Sequence, residues 1–149
     1  MKLIATTKYI ILLLLFLANQ ACSDQPDSQQ EFLSESILNT PFTAVVQHTQ
    51  VIKLSSKPGV GDTYQLSAEV LEPIKGVYQG QISYRLIVEA GEDVILDTKP
   101  VIISLCEDNG ELYWPGVGAE FPVSKKLIKI AHKAAKENSS ADTNKNHCG

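Results

Sequence analysis

Cysteine, methionine, tryptophan and histidine are all scarce in this chain, and each scarcity removes a class of function. The 149 residues hold three cysteines, one methionine, one tryptophan and three histidines. His48, His132 and His147 are far apart, and no two have metal-ligand spacing. The tail "NHCG" offers only His147 and Cys148, too few ligands for a structural zinc site. Glu92, Asp93 and Asp97 share a loop but lack the ordered spacing of a calcium loop, so a solvated acidic loop is expected there. There is no Gly-x-Ser-x-Gly or Ser-x-x-Lys context for a nucleophile. "KPGVGD" lacks the lysine and following helix that a phosphate-cradling loop needs. No cofactor, metal or catalytic residue is therefore expected, and the chain reads as a non-enzyme.

Long apolar runs are also missing, with one exception. Lys2 and Lys8 flank the start of "MKLIATTKYIILLLLFLANQAC", whose apolar core runs from Tyr9 to Ala18. That is short for a membrane-spanning helix and sits where an export signal sits. Cys22 follows directly after Ala21, and a Ser/Asp/Gln/Pro-rich tether comes next. The junction resembles that of bacterial lipoproteins, in which the cysteine is acylated (palmitate among the chains) and becomes the mature N-terminus. It departs from them at Asn19, where an apolar residue is usual. Cleavage after Ser23 is the other reading, because "ACS" also fits a small-x-small rule. The resemblance implies a periplasm-facing protein, and Ser23 after the cysteine implies the outer membrane; cleavage after Ser23 would leave it soluble or secreted instead.

Charge of one sign is scarce over most of the chain. Residues 24–123 carry fifteen Asp and Glu against five Lys and Arg, whereas residues 124–149 carry six Lys against two acids. An acidic body with a basic end suggests an electrostatic match within the molecule. Export makes nucleic acid an unsuitable partner for the lysines. The expected partners are the membrane, through the lipid anchor, and an envelope protein, peptide or glycan.

The pattern turns to a period of two at Ala44. "AVVQHTQVIKL" is rich in β-branched residues, and "TYQLSAEVLE" alternates with Tyr64, Leu66, Ala68 and Val70 on one face. "QISYRLIVE", "KPVIISLCE" and "ELYWPGV" complete five expected strands, separated by Gly-, Pro- and Asp-rich turns. One-sided alternation argues an antiparallel sheet, and five strands in so short a chain favour a small closed barrel. Ser28 and Glu31 have capping-box spacing ahead of a short helix ending near Asn39. "SKKLIKIAHKAAK" predicts a closing helix, capped by Ser124, with an apolar stripe from Leu127 to Ala135 opposite its lysines. The expected division is residues 1–21 signal peptide, 22–30 tether, 31–136 one domain and 137–149 flexible tail.

"LCEDNGELYWPGVG" reads as a hairpin. A type I′ turn at Asn109-Gly110 would pair Cys106 with Tyr113 and put Ile103, Leu105, Leu112 and Trp114 on the core face. The closing helix, through Leu127 or Ala131, is expected to cover Trp114. Glu107, Asp108 and Glu111 would raise the Cys106 pKa, against a nucleophilic role. Export places the chain where disulfides persist, and if Cys22 is acylated or removed, Cys106 and Cys148 remain as the pair. Two free thiols are the alternative.

Residues 41–136 resemble the netrin-like module shared with tissue inhibitors of metalloproteinases. The likeness lies in "EVLEPIKG" leading through a Gly-containing loop to "ISYRL", then a Cys-bearing hairpin, then a glycine-rich run into a C-terminal helix. It implies a mainly β fold, a five-stranded OB-like antiparallel barrel with the C-terminal helix packed on it, and a cysteine link from barrel to C-terminal part. In that family a free N-terminal cysteine chelates the protease zinc. Here Cys22 would be acylated or lost, which argues against that mechanism. The resulting expectation is an envelope-anchored binding module, with inhibition of an envelope protease as the alternative. Recognition is expected on two loops, through Lys57, Gly59, Gly61 and Asp62 in one and Glu92, Asp93 and Asp97 in the other.

Overall fold

The computed structural model describes residues 28–138 and Cys148. The expected signal peptide, Cys22 and His147 lie outside the described residues. Helix α1 (Ser28–Asn39) is followed by β1 (Phe42–Lys57), β2 (Gly61–Lys75), β3 (Gln81–Val88), β4 (Val101–Asp108), β5 (Glu111–Tyr113), β6 (Glu120–Pro122) and helix α2 (Lys125–Asn138). None of the described helices is long and apolar enough to cross a membrane.

Five strands close a ring in the order β1-β2-β3-β5-β4, because β4 also pairs with β1. This is an OB-like strand order, with the C-terminal helix the expectation required. One detail of the expectation changes. The sheet is not wholly antiparallel, since β3 and β5 run parallel, with Tyr84 opposite Leu112 and Arg85 opposite Tyr113. An odd-numbered ring cannot alternate direction at every step, so one parallel neighbour is unavoidable. The sixth strand, β6, pairs with β4 through Ile102 and Phe121. Three residues, the last of them a proline, are too few to show a period.

The hairpin of β4 and β5 forms as expected. Cys106 pairs with Tyr113 and Asp108 with Glu111. Asn109 (φ 52°) and Gly110 (φ 81°) both adopt the left-handed conformation that a type I′ turn requires.

Apolar side chains divide into two cores on either side of the β1–β4 wall. Inside the ring lie Phe42, Ala44, Val46, Tyr64, Leu66, Ile82, Tyr84, Ile103, Leu105 and Leu112, with Trp114 packed against them. Outside it, Val45, Ile102 and Phe121 meet Leu33 and Ile37 of α1 and Leu127, Ala131 and Ala134 of α2. This corrects the expected position of the closing helix. Leu127 and Ala131 cover the outer side of β4, and Trp114 belongs to the inner core. The two-sided cover explains why residues 101–106 are all buried, and why the start of β1 does not alternate.

Polar groups in this wall are paired, as burial demands. Thr43 and Ser104 share a hydrogen bond of 2.9 Å. Lys75 reaches from β2 to the Ile37 carbonyl at 2.6 Å, satisfying the C-terminal end of α1. At the start of α2 the Leu127 N–H donates to Ser124 Oγ at 3.1 Å, the expected cap. Cys148 lies at disulfide distance from Cys106, with Cα atoms 5.5 Å apart, on the same outer side of β4.

Candidate functional site

The two expected recognition loops meet at one end of the ring, and Asp62 joins them. Its side chain is 1% exposed and forms an ion pair with Lys53 at 2.6 Å. The same oxygen accepts the Gly91 N–H at 3.0 Å, and Tyr64 Oη donates to the Glu92 carbonyl at 3.1 Å. Lys53 also sits 5.7 Å from the Tyr64 ring centre. The Lys53 ammonium, then the Ser56 hydroxyl and the Gly91 N–H, hold the Asp62 carboxyl down at about 2. The buried Oδ1 has no hydrogen-bond partner among the described residues. Reciprocally, Asp62 raises the Lys53 pKa. Asp62 thus faces inward as a clasp. Gly61 (φ 122°) is required beside it, since a Cβ there would collide with the Val88 carbonyl. Lys57, Gly59, Glu92, Asp93 and Asp97 remain exposed, and Asp97 accepts the Lys99 N–H at 2.9 Å within its own loop.

A second constellation lies on the outer face of β3. Gln81, Ser83, Arg85 and Ile87 alternate outward along this strand. Arg85 pairs with Glu111 at 2.5 Å across to β5. A groove of about 520 Å³ lies on one side of this pair, lined by Tyr78, Gln81, Ser83 and Tyr84 among others. A second, of about 610 Å³, lies on the other, lined by Thr63, Ile87, Asp108, Tyr113, Trp114 and Pro115. Thr63 and Ile87 are paired next to Asp62 and Val88, so the second groove runs up to the clasped loops.

The aromatic rings here are held firmly. Trp114 is stacked on Tyr84, with ring centres 6.4 Å apart and an interplanar angle of 23°. Tyr84 Oη is bonded to His48 Nε2 at 2.7 Å, and burial, then the Glu120 charge, push its pKa far up. Tyr78 meets Phe42 edge-on at 5.5 Å and donates to Glu107 at 2.8 Å, a bond that raises its pKa. The face therefore offers fixed aromatic surfaces, hydroxyls, amides and one guanidinium–carboxylate pair. Such a set suits a polar ligand that also has flat apolar faces.

Sequence reasoning placed Trp114 in the core and passed over Arg85 and Glu111. One signal was available: Arg85 is the single arginine of the chain, at an outward position of an alternating strand. Among the described residues no cluster of three His, Cys, Asp or Glu side chains could hold a metal ion. His132 is bonded to Glu72 at 2.6 Å, so it joins α2 to β2. No known family model matches the chain, and no curated protein is similar to it.

Proposed function

We propose that this chain is a non-catalytic binding module, held on the cell envelope by an acylated Cys22, that takes its ligand across the outer face of β3 at Arg85 and Glu111. One observation carries the reading. Side-chain exposures of 47% and 66% leave this ion pair worth little to folding, yet it stands between two grooves lined by immobilised aromatics. The clasped loops, with Lys57, Glu92 and Asp93, form the rim of the same surface. The netrin-like reading forms part of this proposal; what supports it is the five-strand ring, the C-terminal helix and the placing of Cys148, beyond that helix, at disulfide distance from Cys106 of the ring.

The test is capture of proteins and glycans from envelope extract by the wild-type chain and by Arg85→Ala. The variant should keep its melting temperature and lose at least tenfold in recovery of the bound species. Equal recovery by both would remove Arg85 from the site. Recovery of a single stoichiometric protease would replace the binding-module reading with that of an inhibitor. Mass spectrometry of the native N-terminus checks the anchor separately, and an unmodified start at Asp24 would dismiss it.

A further inference from the structure

The exposed face of α2 carries Lys125, Lys129, Lys133 and Lys136 at intervals of four, four and three residues, with Lys126 beside them. Such spacing aligns the four in a stripe about 16 Å long. Lysines four apart repel one another and destabilise a helix. Among the described residues, the one ion pair any of them makes is Lys133 with Glu137, at 3.8 Å. The acidic barrel does not neutralise them. His132, the basic-face residue that does reach the barrel, meets Glu72. A row of unneutralised like charges breaks a local rule of helix stability, and such breaches mark surfaces kept for a purpose.

We infer that this stripe is a docking surface for anionic lipid, settling the domain against the leaflet that bears its anchor; the inference rests on the envelope-anchored reading above. Chain length and packing both support it. Only six residue steps separate Cys22 from Ser28, a reach of about 20 Å at full extension. The first turns of α1 lie beside the far end of the stripe, since Gln30 and Glu31 line one groove with Lys133 and Glu137. An anchor at Cys22 therefore holds that end of α2 close to the headgroups. There each lysine gains from the negative surface potential over a Debye length. The Arg85 face belongs to the opposite, ring-forming part of the barrel wall and stays open to its ligand.

The full chain, purified with its native N-terminus, would be reconstituted into vesicles of phosphatidylcholine alone or of an equal mixture with phosphatidylglycerol. Lysines would then be acylated by a water-soluble reagent and each site quantified by mass spectrometry. On the mixed vesicles Lys125, Lys129, Lys133 and Lys136 should label about fivefold more slowly than on phosphatidylcholine, while Lys57 and Lys99 label equally on both. The protection should vanish in about 0.5 M salt. Equal labelling of the stripe on the two vesicles, or protection that survives salt, overturns the inference. Flotation with phosphatidylcholine vesicles reports the anchor independently. A chain that floats there without stripe protection on the mixed vesicles keeps its anchor and loses the docking surface. A chain that fails to float there but shows salt-sensitive protection on the mixed vesicles does the reverse.

Discussion

Trp114 and Asp62 show how a single side chain can have its role decided by neighbours far away in sequence. Trp114 lies against Tyr84, from another strand, and remains half-buried. Replacing it with alanine should cost about 2–3 kcal/mol, below the range for a fully buried tryptophan, because part of its surface already faces the groove. Urea unfolding measures this. A loss beyond about 4 kcal/mol would mean that the ring is a core residue first and a groove wall second. For Asp62 the sign follows from a folded pKa of about 2, below the ordinary value of 3.8. Its ionised form stabilises the fold fully above the ordinary value, and that stabilisation is lost as pH falls from there through about 2. Melting temperature against pH should therefore fall less steeply on the acid side for Asp62→Asn than for wild type. Identical acid limbs would show that the clasp does not depend on charge.

At the scale of elements, the two helices serve the barrel differently from either end of the chain. Helix α1 is anchored by Leu33 and Ile37 and closed by Lys75. Helix α2 is started by Ser124 and packs with α1 over Val45, Ile102 and Phe121. Ser124→Ala leaves the Leu127 N–H without its side-chain acceptor and should destabilise the domain by about 1 kcal/mol. Hydrogen exchange should localise the loss to the first turn of α2. Uniform acceleration across the strands would indicate instead that helix and ring unfold as one unit. The strands draw their order from bulges as well as alternation. The β1–β2 ladder shifts register at four places, bending these long strands around the ring.

At the scale of the whole molecule, Cys106 and Cys148 stand at disulfide distance and would tie the C-terminal end to the ring, whereas the α2 lysines make no ion pair with it among the described residues. The cysteines are 42 residues apart in sequence, and a loop of that length is worth about 4 kcal/mol in the chain-entropy model. Cys148→Ser should therefore lower stability by about 2–4 kcal/mol, and reductant should have the same effect on wild type but none on the variant. Peptide mapping without reductant should recover Cys106 and Cys148 as one linked species; two alkylatable thiols would refute the bond. Acidic groups cluster on the ring and lysines on α2, and a partner that meets one surface need not meet the other.

Local chemistry was enough to settle much of this architecture. The Asn109-Gly110 turn, the pairing of Cys106 with Tyr113, the Ser124 cap and the apolar stripe of α2 depend on neighbours within a few residues, so each could be read directly. The closed ring with a C-terminal helix followed from strand count and length. Other features required contacts between distant segments. The parallel pairing of β3 with β5 is a consequence of closing an odd ring, and no single segment encodes it. The place of α2 on the outer side of β4 was hidden because a strand covered on both faces loses its alternation. Asp62 read as a loop carboxylate until Lys53 and Gly91, from other elements, met it and drew it inward. Arg85 and Glu111 lie 26 residues apart, and they became a candidate site only when the ring brought their strands side by side.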